Sequence, residues 1–469
     1  MIRTLVLWFG VCGYMPGCIT AGGHTSKVLV KGVAKPSENK EIDWAKAQGP
    51  QRLIRGATIL TAAGAVYAPG YLWIQGSKIR EVGVGDGPEI PGSMIVERNG
   101  QFITPGIIDT HSHMGVYASP SVRAHSDGNE STGPITAEVS AEHGIWPLDP
   151  NMPRAVAGGV TTVQILPGSA NLIGGRSAVI KLRPANSARA MLFSGAPSGL
   201  KIACGENPKG VYGTRGGPRT RMGNIAGFRE AFQNAAEYKQ RWDKHLKELG
   251  VWKEKKGKED DKPDPPSRDF GMETLMGVLN GEILVHYHCY RADEMNIMLD
   301  LAKEYGFKIR SFHHALEAYK LADRLAKEGV SVSTWADWWG FKMEAYDGIR
   351  HNVAIVHKAG ARAIIHSDSE TDIRHLNHEA VKARVAGAEL GLTFTDDDVL
   401  KWFTLNPAWA LGIDHRVGSL EAGKDADFVI WDGHPLTSYA KASEVFIDGH
   451  RTYSQEVGLA ISDFELGQR

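Results

Sequence analysis

The pattern of apolar and polar positions divides the chain into two textures. From Arg52 onward, short apolar runs at 54–60, 71–75, 78–82 and 94–97 are separated by glycines and charged residues. This is the rhythm of a small β-sheet unit. It returns near the end of the chain at 426–431 and 445–449, so the β unit is expected to be a sandwich drawn from both ends, residues 52–105 plus 413–469. Between these ends, strand-like runs at 107–113, 160–166, 191–194, 200–204, 283–288, 308–313, 330–334 and 363–366 alternate with helical stretches. The stretches at 293–305 and 315–328 have the three-to-four spacing of crossover helices. The expectation is an α/β fold, a parallel (β/α)8 TIM barrel over 106–412. An insertion at about 235–270 contains a charged, proline-rich segment, 253–269, that reads as a solvated loop.

The N-terminus departs from both textures. After Arg3, residues 4–11 are mostly apolar, too short a run to span a bilayer but shaped like a secretory core. Met15-Pro-Gly-Cys18 loosely matches a lipoprotein cleavage box. Residues 1–18 are therefore expected to be an export leader, with Cys18 as a candidate lipid anchor and 19–51 as a linker. The protein would then be periplasmic or lipid-anchored, the alternative being an apolar extension on a cytoplasmic enzyme. Of the four cysteines, Cys12 and Cys18 fall in this leader, and Cys204 and Cys289 alone give no disulfide framework.

Charge narrows the function. With 53 basic against 54 acidic residues and no dominant block, nothing favours a nucleic acid or an anionic membrane as partner. A small-molecule substrate fits better. The strongest chemical signal is Ile107-Ile-Asp-Thr-His-Ser-His113, where strand periodicity puts His111 and His113 on one face at a strand's end. In a barrel that end opens into the mouth, and two imidazoles there can bind a metal ion. Later runs end in the same way, with His286 and His288, with His313 and His314, and with His366 and Asp368. Lys201 lies inside an apolar strand; if it faces the barrel, Leu200, Ile202 and Cys204 face the helices, and its buried ammonium is costly. Glu206 follows in the next turn. Tyr212 and Arg215 after the fourth strand, and Trp338 after the seventh, are candidate substrate contacts, Arg215 through a carboxylate and Trp338 as an aromatic wall.

Together Thr104-Pro-Gly-Ile-Ile-Asp-Thr-His-Ser-His, Gly159-Val-Thr-Thr, Val285-His-Tyr-His, Phe312-His-His, His366-Ser-Asp, Thr404-Leu-Asn-Pro-Ala and Gly418-Ser-Leu-Glu-Ala-Gly-Lys-Asp-Ala-Asp resemble the amidohydrolase superfamily, most closely its imidazolonepropionase-like and prolidase-like branch. The resemblance implies two divalent metal ions, Zn2+ by expectation. His111, His113 and Asp368 would hold the more buried ion, and His286 and His314 the other. His288 shares the face of His286 and would touch substrate. The bridge between the ions would be Lys201 as a carbamate (N6-carboxylysine), or Glu206. Asp368 would act as general base and acid. The implied reaction is hydrolysis of a small amide such as a dipeptide or N-acyl amino acid by a homo-oligomeric enzyme. The competing expectations are a mononuclear deaminase or cyclic-imidate or lactone hydrolase, and a noncatalytic binding lipoprotein.

Overall fold

The computed structural model describes residues 49–459, so the expected leader with Cys18, and all but the last residues of the expected linker, lie outside the described residues. Five strands open the fold: β1 (Gln51–Leu60), β2 (Val66–Gln75), β3 (Lys78–Val84), β4 (Met94–Glu97) and β5 (Phe102–Pro105). The barrel strands follow as β6 (Ile107–Ser112), β7 (Val160–Ile165), β8 (Ile173–Lys181), β9 (Gly199–Ala203), β10 (Leu284–Cys289), β11 (Ile309–His314), β12 (Ser331–Thr334) and β13 (Ala363–Ile365). Among the described residues three strands come last, β14 (Phe428–Trp431), β15 (Ala442–Ile447) and β16 (His450–Ser454).

The two chain ends build one sheet in the order β16-β15-β14-β5-β1-β2-β3, with β4 paired to β1. Antiparallel pairing of β14 with β5 joins the late strands to the early ones. Alternate residues of both ends, among them Ile54, Leu72, Ile74, Ile103, Phe428, Ile430 and Phe446, bury one apolar core, which is what period-two patterning requires.

The eight barrel strands run in the order β6 to β13. All neighbours pair in parallel except β8, which is antiparallel to both β7 and β9. This corrects two expectations. The run 191–194 is not a strand, because Ala188–Met191 forms a helical turn and Leu192 makes only an isolated bridge to Ile180. The third barrel strand is instead Ile173–Lys181, whose Gly174-Gly175 pair interrupts the apolar run. β6 and β13 close the barrel through intermediaries. Ile108 N–H donates to Phe403 O, Ile365 N–H to Trp402 O, and Asp368 N–H to His111 O. The first part of the expected insertion belongs to a long helix, Arg221–Glu254, and the segment after it is mostly exposed. No helix among the described residues is long and apolar enough to cross a membrane.

A disulfide joins Cys204 and Cys289, 85 residues apart, just beyond β9 and at the end of β10. The two cysteines thus do pair, because parallel β9 and β10 are hydrogen-bonded neighbours.

Candidate metal centre and active site

Strand order puts the C-terminal ends of β6, β9, β10, β11 and β13 around one mouth, and each brings a nitrogen- or carboxylate-bearing side chain. His111, Lys201, His286, His288, His313, His314 and His366 are all buried. They form two layers. In the lower layer His286 Nδ1 lies 2.9 Å from His313 Nε2, and His313 Nδ1 lies 2.9 Å from His111 Nδ1. This relay turns His111 Nε2 upward, 3.3 Å from Lys201 Nζ and 3.5 Å from Asp368 Oδ1. His113 Nδ1 donates to Leu166 O at 2.8 Å, which leaves its Nε2 facing Asp368 Oδ1 at 3.2 Å.

The upper layer holds His288, His314 and His366. His288 is fixed by Ser169 Oγ, 2.8 Å from its Nδ1, and its ring centroid is 4.5 Å from that of His314. By strand alternation His314 shares the outward face of Phe312. Its φ of 67° lies in the left-handed region, costly for a residue with a Cβ, and turns the ring back over the mouth. Asp368, with φ of 49°, is bent in the same way. His111, His113 and Asp368 form one group with ligand atoms within 4.8 Å of each other, and His111, His314 and His366 form a second.

The electrostatics suit a cation. Burial first, and then the charge of Lys201 or of neighbouring imidazoles, holds His111, His288, His313 and His314 well below the usual histidine range. Burial likewise lowers His286 and His366 to about 3. Neutral imidazoles keep lone pairs for a metal. His286 Nε2, His288 Nε2, His314 Nδ1 and His366 Nδ1 are buried without a hydrogen-bond partner, a costly state that a bound cation would relieve for those facing it. Burial also lowers Lys201 to about 8. Burial alone would raise Asp368, but the His113 hydrogen bond and the charges of His113, His366 and Lys201 outweigh it and hold Asp368 below its usual value.

The sequence profile of the amidohydrolase family matches residues 102–452, most of the chain and all of this site. The chain belongs to the amidohydrolase family. It is 33% identical over 461 residues to amidohydrolase tasK of Hapsidospora irregularis; the match covers 91% of this chain but 46% of that protein, so this chain spans about half the relative's length. It is similar to an imidazolonepropionase of Mesorhizobium japonicum, at 23% identity over 73% of this chain and 80% of the other. Among solved structures it resembles an amidohydrolase from Thermotoga maritima, with a TM-score of 0.76, 33% identity, and coverage of 86% of this chain and all of that one.

Around the histidine cluster of this amidohydrolase, aromatic rings form one wall. Tyr290 stacks on His314 at 5.1 Å and 13°, Trp335 stacks on His314 at 4.5 Å, and Trp338 stacks on Trp335 at 5.3 Å. Trp338 is 39% exposed, so its outer face is open. Of the other candidate substrate residues, Tyr212 is buried at the end of the helix Glu206–Tyr212 and Arg215 is exposed in the following turn. Glu206 lines a cavity beside Ser169, where its Oε1 is 3.7 Å from Lys342 Nζ. Sequence reasoning gave no role to Asp109, Tyr290 or Ser169, and noted His366 only within its motif. Of these, His366 carried a signal, its place at a strand's end.

Proposed function

We propose that this amidohydrolase cleaves the carbon–nitrogen amide bond of a small substrate, such as a dipeptide or an N-acyl amino acid, at a site for two divalent cations. The observation that carries this reading is the set of neutral, buried imidazoles with unpartnered nitrogens, converging with Lys201 and Asp368 at the barrel mouth. His111, His113 and Asp368 would hold one cation. His314 would hold the other, together with His288 in preference to His286. His286 hydrogen-bonds His313 in the lower layer, whereas the His288 ring faces His314 and is oriented by Ser169. His366 stands beside this second position.

When bound, two such cations, Zn2+ in this reading, would supply Lewis acidity, making a water acidic near neutral pH and polarising the carbonyl. Burial pushes Lys201 down to about 8, so the neutral amine that carbamate formation with CO2 requires is more accessible than for an ordinary lysine, and the resulting carboxylate would bridge the cations. Asp368, kept ionised by His113, accepts the proton of the attacking water and returns it to the departing amine. His313 and His286 hold His111 in orientation, and Tyr290 and Trp335 shield the ligands from water.

The Cys204–Cys289 disulfide supports the further reading that the protein works in an oxidising compartment after export.

The test is incubation of metal-loaded protein with a panel of N-acyl amino acids and dipeptides, scoring released amine. Amine release that is lost in Asp368→Asn upholds the reading. No release from any member by protein with full metal content would overturn it.

A further inference from the structure

A cavity of about 540 Å3 opens beside the metal centre, and its wall includes Ser169, the residue that fixes His288. Asn129, Asn207 and small residues complete the lining, and among the described residues Glu206 is its only charged member. The Glu206 carboxylate has a distant and contested partner. Lys342 Nζ is 3.7 Å from it but 2.7 Å from Glu344 Oε1. Lys342 is also held 3.3 Å from Asn207 Oδ1 and 4.2 Å from the centroid of the Tyr290 ring, so it cannot swing towards Glu206 without leaving these contacts. Glu344 is tied in place as well, its Oε2 accepting the Glu206 N–H at 2.9 Å. Two carboxylates therefore share one ammonium. The less compensated one is Glu206, which is 43% exposed and lines the cavity beside Ser169.

We propose that Glu206 determines specificity by accepting the cationic amine of the substrate, so that the preferred amides carry a positive charge. The inference rests on the amide-hydrolase reading for its reaction and on the cavity for its selectivity. A cation here gains a counter-ion in a partly desolvated wall, whereas a neutral isostere leaves the carboxylate uncompensated.

Two matched pairs test it: 6-aminohexanoyl-alanine against hexanoyl-alanine, and N-acetyl-lysine against N-acetyl-norleucine. For the wild type, kcat/KM should favour the cationic member of at least one pair by about five- to tenfold, as a partly exposed ion pair allows. In Glu206→Gln that ratio should collapse towards one through KM, with metal content measured alongside. Lys342→Met, which removes the competing ammonium, should raise the ratio. Absence of preference in both wild-type pairs, or a preference that survives in Glu206→Gln, would overturn the assignment. If none of the four compounds is cleaved, the hydrolase reading is judged separately by the wider panel of N-acyl amino acids and dipeptides, and calorimetric binding of the same compounds judges the cavity. Tighter binding of a cationic member by wild type but not by Glu206→Gln upholds it, and equal binding of both members overturns it.

Discussion

The carboxylate of Asp109 accepts hydrogen bonds from the backbone N–H and the hydroxyl of Ser367, 258 residues further along the chain, and also from the N–H of His111. The first and last barrel strands thus meet on one buried side chain, between His111 and Asp368. Burial raises Asp109 to about 7, against the pull of these hydrogen bonds.

Asp109→Asn should lower metal affinity by about ten- to a hundredfold, as loss of a group that orients ligands does. The amide places an N–H against donors, so stability should also fall by roughly 1–3 kcal/mol. Metal titration and urea unfolding of the same variant check both effects.

Asp368→Asn should lower kcat by about 10²–10⁴-fold, because an amide cannot carry a proton from water to the leaving amine. Metal content measured on the same sample separates this from ligand loss. Near-normal kcat in a metal-replete variant would remove Asp368 from the proton path.

If Lys201 bridges the cations as a carbamate, as proposed, Lys201→Ala should lose activity that short carboxylic acids partly restore by taking its place, while Lys201→Arg should show no such rescue, its permanent cation filling the gap. Wild-type apoprotein should recover activity faster with bicarbonate than in CO2-free buffer. A fully active Lys201→Ala variant would eliminate the bridge.

At the junction of barrel and sandwich, Lys181 is 3% exposed and lies 2.9 Å from Asp425, 2.9 Å from Asp427 and 2.5 Å from Asp448. Lys181→Met leaves these carboxylates without their central cation and should destabilise the fold by about 3–5 kcal/mol at neutral pH. Burial would raise Asp425, but the charge of Lys181, with Arg416 and Lys78, holds it down to about 2. A depressed carboxylate contributes stability above its unfolded pKa and loses it as pH falls through the folded value. The difference between wild type and Lys181→Met should therefore shrink as pH falls from about 4 through 2, which unfolding midpoints across that range will show.

Much of this was legible in the sequence where a strand's period of two met a chemical group. His111 and His113 follow an apolar run on one face, and Lys201 alternates with Leu200 and Ile202, so their inward direction could be inferred. The reversed β8 could not, since periodicity carries no strand direction and Gly174-Gly175 weakens the apolar run, while the apolar residues at 191–194 imitate a strand. His314 faces the mouth only because its backbone enters the left-handed region. Asp109 reads as one polar residue within a strand, and its partner at Ser367 is set by barrel closure. Tyr212 ends the helix Glu206–Tyr212 as a buried residue and Arg215 is exposed in the turn after it, a difference in burial that their spacing after the fourth strand did not carry.

The bond between Cys204 and Cys289 encloses 85 residues of separation, including the long helix Arg221–Glu254. A cross-link over so long a segment removes chain entropy from the unfolded ensemble. It also acts as a covalent chord between the strand of Lys201 and the strand of His288. The spacing of these two groups is then set by the covalent framework itself, and any cation bound between them, as proposed, would have less chain to order.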